Sequence, residues 1–209
     1  MHQVSFYANT SDDSHCVQAA FRIMLKYFLP DQEFRYSELD RLTEKAGNQG
    51  TWWPPGLTSF TKMGLKVRAI EAFDYQQYYE QGQRYVLNHF GPEIGSWYLR
   101  HTNILNIKES IPEFLKTVDF ECRAATMADI DELLAEGWLV GLELNSRRLH
   151  NLDGFVAHMV VIFSAKNGKY FMHDPGLPPR PNLEISASRL EDIWLGAEPK
   201  TAALLAIKR

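Results

Sequence analysis

The stretch Phe155-Val156-Ala157-His158-Met159-Val160-Val161-Ile162-Phe163, followed by Asn167-Gly168 and then by Tyr170-Phe171-Met172-His173-Asp174-Pro175-Gly176, decides the fold class. Two short runs rich in Val, Ile and Phe flank an Asn-Gly pair. Both residues of that pair accept positive φ, which a two-residue antiparallel turn requires. With the turn centred there, His158 stands opposite about residue 177. Asp174 then lies at the His158 end of the hairpin. Two ordinary readings stay open: an Asp before Pro-Gly can serve a turn, and a His in an apolar strand can be a satisfied core residue.

Outward from the hairpin, residues 138–144 and 202–207 read as further strands, and 65–70 as an earlier one. Residues 91–106 have weak periodicity and read as loop, and 175–181 as a Pro/Gly-rich loop. The first half is otherwise helical. Its clearest element runs from about 14 to 28, where Val17, Ala20, Phe21, Met24, Leu25 and Phe28 form one stripe. Asp12, Asp13 and Ser14 are placed to cap it, and Pro30 stops it. Ser37 with Asp40, and Thr126 with Asp129, read as capping boxes of later helices. Helices first and an antiparallel sheet second is an α+β layout. One domain over 1–209 is expected, helical to about 136 and sheet beyond.

Composition narrows the function. Hydrophobic residues make up 45% and charged residues 23% of 209, enough for a full core without disulfides. The net charge of -4 comes with no block of Lys and Arg, so no nucleic-acid footprint is read. No apolar run is long enough to span a bilayer, and Met1 to Thr10 carries no secretory pattern. A cytoplasmic location is therefore expected. The two cysteines, Cys16 and Cys122, have no metal-ligand spacing, so neither a metal nor another cofactor is called for. Cys122 is expected in a short strand, buried and inert.

Cys16 falls in the first turn of the first helix. Free N–H groups and the helix dipole there favour a thiolate. An imidazole beside it can take and return a proton, and a third group must fix the tautomer of that ring. Cys16 with His158 and Asp174 supplies these three roles, although a lone Cys is also commonly a small buried hydrophobe.

These residues carry a resemblance. The run from Asp13-Ser14-His15-Cys16-Val17-Gln18-Ala19-Ala20 to Phe28, the strand Ala157-His158-Met159-Val160-Val161-Ile162, and the segment from Lys169 to His173-Asp174-Pro175-Gly176 resemble the bacteriocin-processing, double-glycine leader-peptidase-like family. Those are papain-like cysteine peptidases. The resemblance implies a papain-like fold, Cys16 as nucleophile, His158 as general base and acid, and Asp174 as its orienter. It also implies a peptide or protein substrate. The family has a Gln several residues before the Cys, donating to the oxyanion. Asn9 is the amide side chain in that segment here, either an oxyanion donor or a turn residue. Gly follows the family's Cys, where this chain has Val17. Trp52 and Trp53 could line a substrate groove or pack in the core. Arg147, in the loop before the His strand, could contact substrate or be solvated. The activity expected is that of a cysteine peptidase or related amide hydrolase. The alternative is a non-catalytic papain-like module that binds a leader peptide or protein partner.

Overall fold

A computed structural model describes residues 3–196 and 199–209. Met1, His2, Ala197 and Glu198, which the single-domain expectation spans, lie outside them. The Asn167–Gly168 turn has φ of 54° and 71°, the double positive φ of a tight hairpin turn. It joins β4 (Ala157–Lys166) to β5 (Lys169–Asp174). Lys166 pairs with Lys169 and Ser164 with Phe171; a bulge then shifts the register, so that Val161 faces His173. Continued one strand-end further, that shifted register brings His158 beside Gly176.

Seven strands of the described residues form one sheet in the order β2-β1-β7-β3-β4-β5-β6. The others are β1 (Lys66–Glu71), β2 (Asp119–Cys122), β3 (Leu139–Asn145), β6 (Arg180–Ser186) and β7 (Ala203–Lys208). Both faces are covered, which is why the run from Phe155 to Phe163 is nearly continuously apolar. Met159 and Val161 enter one core, while Val160 and Ile162 enter the other. On the first face lie α1 (Cys16–Phe28), α2 (Tyr36–Leu42), α3 (Pro54–Lys62), α4 (Tyr75–Gln81), α5 (Gln83–His101) and α6 (Ile111–Thr117). On the second lie α7 (Met127–Ala135) and α9 (Ala187–Leu195), with Ile130, Leu133, Leu190, Ile193 and Trp194 buried beneath them. A single turn, α8 (Ser146–Leu149), follows β3.

The stripe on α1 buries Ala20, Phe21, Met24 and Leu25 completely, and α1 packs on β4. At roughly 1.5–3 kcal/mol per large apolar side chain, that face fixes the height of Cys16 over the sheet. Gly56 lets α3 come in close: a Cβ there would sit 2.7 Å from the Phe21 ring.

Several elements differ from the sequence reading. Helix α1 begins at Cys16 with His15 as N-cap, and no side chain caps it. The Ser37/Asp40 capping box does not form, because Asp40 faces His15 across the gap between helices. The Thr126/Asp129 box does form. Residues 92–101 are helical: α5 breaks at Gly91 (φ 81°) before Pro92 and runs on to His101. Its buried face past the kink is Gly95 and Tyr98, too small and too polar to show as hydrophobic periodicity. Strand β6 occupies what reads as the end of a Pro/Gly-rich loop. It is an edge strand, where Pro181 is tolerated, and only Ile185 in it is buried. The sheet also crosses the expected helical and sheet halves, since β1 and β2 come from the first. Cys122 does lie in a short strand, but at its exposed end.

Candidate active site

Cys16 is the first residue of α1, so the N–H groups of its first turn have no partner within the helix. The chain arrives there through a network centred on Asn9. Asn9 Oδ1 accepts the backbone N–H of Thr10 (2.8 Å) and of His15 (2.7 Å). Its amide donates to Asp13 Oδ1 at 2.8 Å. The backbone N–H of Asn9 itself donates to the Pro175 carbonyl at 2.8 Å, tying this loop to the end of the hairpin. Asp13, at φ 56°, turns the chain toward the helix. The His15 ring is held by Thr10 Oγ1 at 2.7 Å and by Asp40 at 3.3 Å.

Opposite, His158 is the second residue of β4 and Asp174 closes β5. His158 Nε2 and Asp174 Oδ1 are 2.7 Å apart, and both side chains are buried. Asp174 Oδ1 also accepts the Gly176 N–H at 2.9 Å. Its other oxygen, Oδ2, accepts from Arg180 Nε at 2.9 Å and Nη2 at 2.6 Å. The carboxylate thus has four donors and one orientation. With Nε2 engaged by Asp174, Nδ1 is the ring nitrogen left to exchange a proton with a thiol. Gly176 fits because it has no side chain: a Cβ there would be 3.0 Å from Asp174 Oδ1 and from two atoms of the His158 ring.

The electrostatics follow from this packing. Burial alone would depress the His158 pKa, but the hydrogen bond to Asp174, followed by the influence of the Cys16 side chain, pushes it up to about 10. Burial alone would raise Asp174; the His158 hydrogen bond and charge, with Arg180 and the Gly176 N–H, hold it well below the usual carboxylate range. The pair therefore favours imidazolium and carboxylate together. Cys16 and His158 are neighbours in two cavities. One, with room of ≈ 30 Å³, is lined by both together with Thr51, Trp52, Trp97 and Glu143. The other, with room of ≈ 230 Å³, has Asp13, Arg147, His150 and Leu177 around them.

The expected residues thus fall into groups. Cys16, His158 and Asp174 come together. Trp52 is at once core and cavity wall, with its indole donating to Thr102 Oγ1 at 3.0 Å. Trp53 does not reach the cavities; it is buried against Tyr75 and Phe114. Arg147 borders the second cavity, and among the described residues no ion pair engages it. Of the two readings of Asn9, its bonds support the turn residue: its amide donates to Asp13, its oxygen accepts two backbone N–H groups, and it lines neither cavity. His173 is also structural. Its Nδ1 accepts from the Asn182 N–H and its Nε2 meets the Val4 carbonyl, both at 3.1 Å.

Arg180 is the functional neighbour that sequence reading missed. It stands six residues beyond Asp174 across the Pro/Gly loop, and only the pairing of β5 with β6, Asp174 opposite Arg180, brings it back.

Among solved structures, the chain matches a putative C39-like peptidase from Bacillus anthracis at 13% identity, covering 99% of this chain and 95% of that one, with a TM-score of 0.53. The fold is that of the papain-like C39 peptidases. A second match is the peptidase domain of Streptococcus ComA, a bi-functional ABC transporter involved in a quorum-sensing pathway. There the identity is 14%, the coverage 99% and 97%, and the TM-score 0.49. No protein-family model matches the sequence, and no curated protein does. Among the described residues, no helix is long and apolar enough to cross a membrane, and no group of three or more His, Cys, Asp or Glu is placed to hold a metal ion.

Proposed function

We propose that this chain is a cysteine peptidase or related amide hydrolase acting on peptide substrates through Cys16, His158 and Asp174. The observation that carries the reading is the meeting of an uncapped helix start bearing a thiol with a buried His–Asp pair. The Cys16 thiolate attacks the scissile carbonyl carbon, and the carbonyl electrons move to oxygen. The backbone N–H of Cys16, free in the first turn, donates to that oxyanion. As the tetrahedral intermediate collapses, His158 gives its proton to the leaving amine, and a water activated by His158 then cleaves the thioester. Asp174 keeps the ring oriented and stabilises its charge, and Arg180 and Gly176 keep Asp174 in place. The same groups would pass the acyl chain to an amine instead of water.

Trp52 supplies an apolar wall beside the thiol. Arg147, a cation that no ion pair engages among the described residues, suits an acidic or carboxylate group of the substrate in the second cavity. A catalytic free thiol suits a reducing compartment, which makes the cytoplasm the proposed location.

Alkylation tests the reading with an internal control, because Cys122 is exposed. Iodoacetamide should label Cys16 ahead of Cys122 and abolish turnover of a fluorogenic peptide panel. Cys16→Ala should abolish turnover with the fold intact. Labelling that favours Cys122, with bound but uncut peptides, would replace this reading by a non-catalytic binding module.

A further inference from the structure

The two cavities beside the thiol differ in capacity. The one bordered by Glu143 has room of ≈ 30 Å³, about the share of one water. Of the two, only the other, with ≈ 230 Å³, can take a residue of a substrate. Pockets that enclose a whole small ligand run about 300–1,000 Å³, so this space suits one residue and not an extended segment. Beyond Cys16 its walls belong to the His158 end of the sheet, with Val156 and Ala157 ahead of the ring and Gly176 and Leu177 after Asp174. His158 gives its proton to the leaving amine, so the residue received here is the one on the amine side of the cut.

The polar part of the wall is unengaged. Ser146, Arg147 and His150 come from α8 and its C-terminal cap, where spacings of three and four put side chains on one face. Asn145 pins this turn: its Oδ1 accepts the N–H of Arg147 at 3.0 Å and of Val156 at 3.2 Å, and its amide donates to the Gly154 carbonyl at 2.9 Å. Among the described residues, no hydrogen bond or ion pair engages the side chains of Ser146, Arg147 and His150. Burial first, and then the charge of Arg180, lower the His150 pKa, so its ring is a neutral donor beside the Arg147 guanidinium. Much of the remaining wall is apolar. Leu152 and Leu177 are 52% and 42% exposed, and both border the cavity. Apolar area left open beside a charged cavity marks a contact surface.

We infer that this cavity receives the C-terminal residue of a peptide, with an apolar side chain against Leu152 and Leu177 and the free carboxylate on Arg147, so that the cut releases a single amino acid. The inference rests on the proposed hydrolase reading and names its substrate class. Only the last residue of a chain brings an apolar side chain and a carboxylate together within one residue's volume. An internal Asp or Glu would meet the cation and leave the leucines bare. The Cys16 thiolate attacks the carbonyl of the preceding residue, the C–N bond breaks, and the His158 proton goes to the amine of the departing amino acid. Water then cleaves the thioester, one water for each residue released. Asp13, one oxygen of which accepts from Asn9, borders the cavity from the Cys16 side. That is the end at which the departing amine becomes an ammonium.

The test is a mixed peptide panel with free carboxyl ends and the same panel amidated, each incubated with the full chain and read by mass spectrometry. Free-acid peptides ending in Leu or Phe should lose that one residue. Amidation should lower kcat/KM about tenfold or more, the usual strength of a charged hydrogen bond. Arg147→Gln, at an exposed position, should bring the acid-to-amide ratio close to one, and Arg147→Lys should restore part of it. Leu177→Ser should weaken the preference for Leu over Ser ends and leave the acid-to-amide ratio in place. Binding of both panels to Cys16→Ala, by calorimetry, separates this inference from the reading beneath it. Cleavage at internal bonds that is indifferent to amidation and to Arg147→Gln would overturn the inference and leave the hydrolase standing. Indifference to amidation with an Arg147-dependent preference for internal Glu over Gln would overturn it too, in favour of an acidic side chain. No cleavage by the wild type, together with Arg147-dependent binding of free-acid peptides to Cys16→Ala, would remove the hydrolase and keep the cavity as a receiver of chain ends. Neither cleavage nor a free-acid preference in binding would remove both.

Discussion

The hairpin that carries His158 and Asp174 and the loop that delivers Cys16 reach the same place by different physics. In the hairpin, position is set by strand register. One Asn-Gly turn and one bulge determine which residues meet, and the meeting is locked by buried charge: His158 and Arg180 on one carboxylate. In the loop, position is set by short-range bonds between side chains and backbone around Asn9, with α1 packed on the sheet behind. Among the described residues, the one backbone bond between the two regions is from Asn9 N–H to the Pro175 carbonyl. A site built this way has a stiff half and an adjustable half, and changes in the two should fail differently.

The hairpin half should break hardest. Asp174→Ala strips the anion from an imidazolium and a guanidinium at once. Removing one partner of a buried ion pair costs about 3–5 kcal/mol, and losing the orienting carboxylate of such a triad typically costs ~10⁴ in kcat. Urea unfolding and single-turnover kinetics on the same preparation would report both. A variant as stable as the parent would mean that the turn and register hold the hairpin without the charge.

pH should sharpen the same contrast. The His158 pKa is raised in the fold, so its stabilisation is full below its ordinary 6.5 and is lost as pH rises through about 10. Asp174 is lowered in the fold, so its share is full above its ordinary 3.8 and is lost as pH falls below that. Between these ordinary values both contributions are complete. Unfolding free energy measured from pH 4 to 10 should therefore decline above 6.5, and His158→Gln should flatten that part of the decline. An unchanged slope in the variant would assign it to other groups.

The same division explains what the sequence made legible. The Asn-Gly turn, the apolar alternation on two faces and the α1 stripe are periodic or local signals, and they suffice to put His158 and Asp174 at one end of a hairpin and Cys16 at the start of a helix. Arg180 is illegible because its contact depends on β6, an edge strand whose one buried residue leaves almost no pattern. Helix α5 hides for a similar reason, with a glycine and a tyrosine where periodicity looks for Leu or Val. Glu143 sits in a strand that reads simply as core, and nothing local marks it as facing a cavity. The Asn9 network has no period at all. Its members bond to whatever lies within reach, and the resemblance to leader peptidases suggested the oxyanion for an amide that the loop itself employs.

Asn9 accordingly offers the mildest test and the one that divides the two readings of that amide. An oxyanion donor removed by Asn9→Ala would cost ~10²–10³ in turnover with stability nearly unchanged. The observed bonds lead to another outcome. Alanine leaves the N–H groups of Thr10 and His15 and the carboxylate of Asp13 without their partner, and it should cost about 1 kcal/mol of stability, as for the loss of a helix-start side chain. Turnover should then fall only a few-fold, through misplacement of Cys16, and largely recover at lower temperature where the loop is populated. Asn9→Asp keeps the acceptor oxygen for both N–H groups and sets a second carboxylate against Asp13. It should therefore retain more of the loop at pH 4, where one carboxyl is protonated, than at pH 7. Measuring stability and single-turnover rate for both variants at the two pH values decides the matter. A loss of ~10² or more in the chemical step of Asn9→Ala, without loss of stability, would return Asn9 to the oxyanion and make the loop a participant in the chemistry rather than its support.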